Sequence, residues 1–180
     1  MDRRSNNIAI FQDSMDLIKA NQKLQQAVQF SIQNQKLYVP SQAIALPEPG
    51  KSSCKTIVSS KRSFEAASAY AKAGKRVCVL NFASATNPGG GVTRGSTAQE
   101  ECLCRCSTLY PCLDTETMWH QFYQPHRKAG DPRYNDDLLY TPEVVVFKTD
   151  TSAPERMEEK DWYQVDIITC AAPNLRKKQI

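Results

Sequence analysis

Asn87-Pro88-Gly89-Gly90-Gly91, followed after seven residues by Gln99-Glu100-Glu101, is the stretch around which the rest of the chain is organised. Three consecutive glycines let a backbone take positive φ and come close to a ligand, because no Cβ intervenes. The run directly follows the strand-like residues 76–82 and precedes a segment able to begin a helix, whose free N–H groups favour an anion. It therefore reads as a cradle for phosphate. Two acids at the same helix end would repel a phosphate, so the combination makes sense where one of them does chemistry on a group beside it.

Outward from the loop, the pattern alternates strand and helix. Residues 64–73 form an Ala-rich helix closed by Gly74. Before it lie two expected strands, 39–46 despite Pro40 and 55–59, with a turn over 47–53 between them. A strand, a helix and the nearly all-apolar run 77–82 suggest a β-α-β crossover and a buried, largely parallel region of sheet. At the N-terminus, Ile8, Phe11, Met15 and Ile18, then Leu24, Val28 and Ile32, recur at helical steps. One bent helix or two satisfy this, with Asn21 as a cap for the second.

After the loop, residues 97–109 are expected to be helical, capped by Ser96 or Thr97 with Glu100 following. Residues 115–123 form another expected helix, ended by Pro125. Residues 144–147 and 165–170 are strong strands, separated by a charged hairpin or excursion. The chain stops ten residues past the second of them, so the domain reads as unfinished at its C-terminal end.

At 180 residues the chain suits one domain, and no repeat or shift of composition marks a second. Hydrophobic content of 41% without an apolar run of membrane length points to a soluble protein, and nothing near Met1 resembles a secretion signal. A cytoplasmic or otherwise intracellular location is expected, the nucleus included for a eukaryotic source. Seven cysteines form an odd, irregular set and read as reduced thiols. A formal charge of +4 supports an anionic ligand only weakly and argues against sequence-specific nucleic acid.

Other motifs carry less. No Gly-Lys-Ser/Thr follows the glycines, so this is no Walker A loop, nor is it a Gly-x-Gly-x-x-Gly fingerprint. Cys102, Cys104, Cys106 and Cys112 lack the paired spacing of a zinc site, and on a helix Cys104 faces away from its two neighbours. Buried or half-exposed thiols are the expectation. His120 and His126 lack a same-face partner and are assigned to surface or packing. Trp119, Phe122 and Tyr123 fall at core spacing rather than forming a base-stacking platform, and Trp162 and Tyr163 read as packing.

Residues 81–91 together with Gln99-Glu100-Glu101 resemble the signature of the microbial-type poly(ADP-ribose) glycohydrolases, a branch of the macrodomain superfamily. The likeness extends to residues 139–147 and to Ile168-Thr169-Cys170-Ala171-Ala172-Pro173-Asn174. It implies an α/β, macrodomain-like fold: three layers, α/β/α, around a mixed, largely parallel central sheet. One domain over 1–180 is expected, with an N-terminal helical extension over about 1–36 and the C-terminal part of the fold missing. In macrodomains a second glycine-rich phosphate loop and an aromatic residue follow the strand ending in Ala-Ala-Pro-Asn, and nothing after Asn174 matches them.

The resemblance also implies roles. Glu101 is the catalytic acid, kept protonated near a phosphate-rich ligand, and Glu100 and Gln99 help to hold substrate and loop. Backbone groups of Gly89, Gly90 and Gly91, with Val92 beside them, approach the diphosphate and the ribose being cleaved, and Asn87 shapes the loop. Ser84 stands near the place of an Asn that holds the ribose in other branches, a contact that falls here to Ser84 or Asn87. The implied ligand is poly(ADP-ribose) or ADP-ribose, the implied partners are ADP-ribosylated proteins, and neither cofactor nor metal is expected. Two further readings stand beside hydrolysis: an ADP-ribose-binding module with little turnover, and a fragment that acts only with a partner.

Overall fold

A computed structural model describes residues 2–42 and 54–174. Two helices open the chain, α1 (Arg3–Ala20) and α2 (Gln22–Gln33). Asp2 caps α1 by accepting from the N–H groups of Arg4 and Ser5. Asn21 ends α1 and caps α2 through the Leu24 N–H, so the two-helix alternative is the one realised. After β1 (Lys36–Tyr38) come α3 (Ser63–Lys72), β2 (Cys78–Ala83) and the glycine loop. The chain continues through a 3₁₀ turn (Val92–Arg94), α4 (Gln99–Cys106), α5 (Leu109–Leu113), α6 (Glu116–Met118), a π-helical turn (Trp119–Tyr123) and α7 (Gln124–Ala129). It finishes with β3 (Leu138–Val146) and β4 (Tyr163–Ala171).

The sheet is mixed, in the order β1-β3-β4-β2. Only β2 and β4 run parallel, with Asn81 opposite Thr169. The pairings of β1 with β3 and of β3 with β4 are antiparallel. The expected largely parallel character is thus confined, among the described residues, to one pairing of three. Its cause is the absence of the expected strand at 55–59. That stretch is exposed coil, with Val58 92% exposed, because a short apolar pair without a neighbouring edge gains no ladder hydrogen bonds. Among the described residues no β-α-β crossover precedes β2, and its parallel partner arrives more than eighty residues later.

Other boundaries shift for local reasons. The strand expected over 39–46 lies earlier, at Lys36–Tyr38, and ends before Pro40, which cannot donate to a ladder. Residues 43–46 and the turn expected over 47–53 lie outside the described residues. Ala98 rather than Ser96 or Thr97 precedes α4, without a side-chain cap, and the helix stops at Cys106 because Ser107 turns extended to bridge Val146. Pro125 does not end its helix. It sits in the first turn of α7, where its missing N–H costs nothing, and the π turn carries the chain straight into it.

The main core gathers Phe64 from α3, Leu103 from α4, Phe122 and Tyr123 from the π turn, and Leu139, Val144 and Ile167 from the sheet. Burying each large side chain contributes about 1.5–3 kcal/mol. A second cluster joins Ile18 and Leu24 to Val145 and Phe147. On β2 burial alternates: Val79, Asn81 and Ala83 point into the core, while Leu80 and Phe82 are 45% and 61% exposed on the other face. A strand expected to be covered on both sides is covered on one. Of the three layers, the helical layer over Leu80 and Phe82 is not present among the described residues. No helix among them is long and apolar enough to cross a membrane.

Candidate active site

Parallel strands place ligands at their carboxyl ends. β2 and β4 end together at Ala83 and Ala171, and a crevice of about 580 Å³ opens there. The glycine loop and the start of α4 form one wall, and Ala172, Pro173 and Asn174 another. Residues from two distant motifs of the sequence thus meet at one opening.

The acids of α4 are both buried, Glu100 at 2% exposure and Glu101 at 6%. Glu101 Oε1 accepts the Gly91 N–H at 2.8 Å, while its Oε2 is buried without a partner. Glu100 Oε2 accepts the Ser84 N–H at 2.8 Å, and Asn81 Nδ2 approaches Oε1 at 3.4 Å. Burial pushes the Glu100 carboxyl up to about 7, partly offset by the Ser84 and Asn81 bonds and reinforced by the charge of Glu101. The surroundings thus hold the Glu100 carboxyl towards its neutral form, next to the acid that the resemblance names.

The glycines matter first for these carboxyls. A Cβ on Gly90 would lie 2.7 Å from Glu101 Oε1 and 3.0 Å from Glu100 Oε2, so both acids rest directly on its Cα. One on Gly91 would lie 2.2 Å from Ser96 Oγ. Two of the loop's N–H groups are committed internally, Gly90 to the Asn87 carbonyl and Gly91 to Glu101. The expected phosphate cradle is thus, in this geometry, a seat for two carboxyls. Gly89 abuts Tyr110, and Val92 is fully enclosed in the main core; neither lines the crevice.

Gln99 is also away from the crevice. Its side-chain carbonyl accepts the Phe82 N–H at 3.0 Å and its amide donates to the Leu80 carbonyl at 2.7 Å. It therefore imitates a neighbouring strand on the free edge of β2 and fixes α4 to that edge. Ser84 Oγ accepts the N–H groups of Thr86 and Asn87, shaping the turn into the loop. Asn87 Oδ1 receives Arg127 Nη2 at 2.6 Å, and Arg127 Nε reaches the Thr86 carbonyl at 2.6 Å. Both candidates for the ribose contact are thus already hydrogen-bonded, Ser84 within the loop and Asn87 to Arg127, and both line the crevice.

Several residues at or beside the crevice were given no role from the sequence. Asn81, inside an apolar strand, donates to Thr169 Oγ1 at 3.2 Å and has a buried Oδ1 without a partner. Arg94 is the one cation lining the crevice among the described residues, and Tyr134, held at φ +58°, lines it from the far side. Arg127, packed over the Trp119 ring at 4.8 Å, braces the loop from α7. A buried polar residue at an inward position of an apolar strand was the available signal for Asn81; the others depend on long-range packing.

The cysteines are unpaired, with Cys104, Cys106 and Cys112 buried. Burial raises all three thiols, and Cys104, beside both acids, is raised well above its ordinary value. Among the described residues no group of three His, Cys, Asp or Glu side chains could hold a metal ion. His120 is exposed, whereas His126 is buried 3.5 Å from Asp137, within the packing and surface roles expected of them.

A family model described as the microbial-type PARG catalytic domain matches residues 8–149. No curated protein matches. Among solved structures, the poly(ADP-ribose) glycohydrolase of Thermomonospora curvata superposes with a TM-score of 0.80 at 29% identity, over 98% of this chain and 69% of that one. The same enzyme bound to the inhibitor ADP-HPD gives 0.71 at 29% identity, over 98% and 68%. The poly(ADP-ribose) glycohydrolase of Deinococcus radiodurans in complex with ADP-ribose gives 0.69 at 32% identity, over 81% and 58%.

Proposed function

We infer that this chain, which belongs to the microbial-type PARG catalytic-domain family, hydrolyses the ribose–ribose O-glycosidic bonds of poly(ADP-ribose) and releases ADP-ribose, with Glu101 as general acid and base. One observation carries the assignment of Glu101. Its Oε1 is fixed by the Gly91 N–H, its Oε2 has no hydrogen-bond partner, and its side chain lines the crevice.

The steps follow from that geometry. Protonated Glu101 gives its proton to the glycosidic oxygen as the C–O bond breaks, and the departing ribose leaves as a hydroxyl. An oxocarbenium-like sugar remains, balanced by the substrate's own diphosphate. The Glu101 carboxylate then takes a proton from water as the water oxygen bonds to the anomeric carbon, which restores the acid. The two carboxyls touch the same glycine, so Glu100 is too close to work from the opposite face of the sugar as in an inverting glycosidase. Its place in the proposal is to hold the Ser84 turn and, neutral, to keep a second full charge away from the diphosphate.

Ser84, Asn87 and the backbone of Gly90 and Gly91 line the ligand, and Arg94 faces its phosphates. Gln99, Gly89 and Val92 act through position, by fixing α4 and the loop. Residues 1–180 serve as one domain in this reading, since α1 and α2 contribute Phe11, Ile18 and Leu24 to the two core clusters. An intracellular setting, with ADP-ribosylated proteins as the source of polymer, agrees with seven unpaired thiols. Incubation with labelled polymer tests the assignment: the wild type yields ADP-ribose and Glu101→Ala yields little. Equal product from the two excludes Glu101 as the acid.

A further inference from the structure

At the opposite end of the same strands lies a larger groove of about 1050 Å³, between the C-terminal ends of α2 and α3 and the starts of β2 and β4. Lys36, Lys72, Lys75, Arg76 and Lys160 line it. Three acids face them, and two are already neutralised: Asp166 by Arg76 at 3.0 Å and Asp161 by Lys72 at 3.6 Å. Among the described residues Lys36 and Lys75 have no carboxylate partner, and Glu143 is the remaining acid.

Aromatic rings line the same groove as the cations. Phe30 is 42% exposed on α2, and Trp162 is held in orientation by its Nε1 bond to the Met157 carbonyl at 3.1 Å. Basic side chains beside aromatic rings are the combination that binds anionic chains bearing bases, where phosphates meet the cations and bases stack on the rings. The wall is also a strained one. Glu143, at a β-bulge, holds φ +53° while its N–H is tied to Asp166 Oδ1 at 3.2 Å, and such positions cluster where a surface has a job other than stability.

We propose that this groove is a second binding site for the substrate polymer, gripping adenine-bearing diphosphate units of a chain whose end occupies the crevice at the other end of β2. The proposal rests on the glycohydrolase reading above. A six-residue strand separates the two openings by about 20 Å. A long chain engages both, and a two-unit substrate engages the crevice alone.

The test compares wild type with Lys36→Gln/Lys75→Gln and with Phe30→Ala, all at exposed positions remote from Glu101. For long polymer, KM should rise on the order of tenfold in the double variant with kcat unchanged, and the slope of log affinity against log salt should fall by about 1.4, the loss expected for two phosphate contacts to a single strand. Phe30→Ala should raise KM without changing the slope. Both constants for the two-unit substrate should stay at wild-type values. An unchanged KM and slope for long polymer overturn the proposal.

The two-unit arm separates this proposal from the catalytic reading. If the wild type cleaves neither that substrate nor long polymer, hydrolysis is refuted and the groove is judged by fluorescence anisotropy of labelled long polymer on Glu101→Gln protein. The lysine substitutions should remove the same salt slope there, and retention of it overturns the groove. Single-stranded DNA of equal charge binding as tightly as the polymer would make this a nucleic-acid site instead, which also overturns the proposal.

Discussion

Two buried carboxylates mark the two ends of one parallel strand pair, and they are finished in opposite ways. Asp166, near the start of β4, accepts from Arg76 Nε at 3.0 Å, from the Tyr140 hydroxyl at 2.8 Å and from the Glu143 N–H at 3.2 Å. Glu101, at the far end, accepts one N–H and has a buried oxygen with nothing bound to it. Buried polar atoms normally find partners, so an unpaired one calls for a reason. Asp166 ties the bulge of β3 to the sheet; Glu101 is held by one oxygen and spared at the other. In this pair, the saturated carboxylate serves the architecture, and the one with an unpaired oxygen is the one proposed for chemistry.

The contrast breaks most visibly at Glu101 itself. Glu101→Gln retains an acceptor for the Gly91 N–H but loses the proton donor, so kcat should fall by about 10²–10⁴-fold while the melting temperature holds. A fall in both would make Glu101 a structural residue like Asp166. Gly90→Ala comes next. Its Cβ would meet Glu101 Oε1 at 2.7 Å from a backbone at φ +60°, displacing the acid by a fraction of an ångström to an ångström, and kcat/KM should drop by about 10²-fold. Wild-type activity in that variant would show that the seat of the acids is not needed.

At the saturated end the expectation reverses. Asp166→Asn leaves donors underserved and should cost about 1–3 kcal/mol in denaturant unfolding, with kcat on a two-unit substrate unchanged. The smallest effect concerns Glu100 and pH. Its folded-state carboxyl titrates at about 7, above an ordinary value of 4.5, so the native state binds the extra proton. The stability it contributes is therefore complete below about 4.5 and is lost as pH rises through about 7. Glu100→Gln should remove that decline, and melting curves of the two proteins should converge at acid pH and separate at pH 8. Parallel curves across the range would show that Glu100 is not held neutral.

Local chemistry made much of this legible in the sequence. Asn21 offered a cap for a second helix, one of the two alternatives left open, because an Asn side chain caps while its backbone leaves the helix. An apolar strand followed by three glycines and two acids announced the site, because each feature acts within fifteen or so residues of the next. What stayed hidden depends on partners far along the chain. Residues 55–59 carry the composition of a strand but have no edge to join, and β2 reads as buried on both faces although Leu80 and Phe82 are exposed. The glycines were rightly seen as a close approach; that the approaching atoms are Glu100, Glu101 and Ser96 needs the fold. Arg127, forty residues from Asn87, and Tyr134 enter the site only through α7 and the turn after it.

Substrate trapping tests the central claim most directly. Labelled polymer is bound to Glu101→Gln and to wild-type protein, the complexes are isolated, and free ADP-ribose is followed over several wild-type turnovers. With the spare oxygen of Glu101 as proton donor, the variant retains intact polymer with wild-type affinity while the wild type releases ADP-ribose. Release from the variant at the wild-type rate would contradict the account.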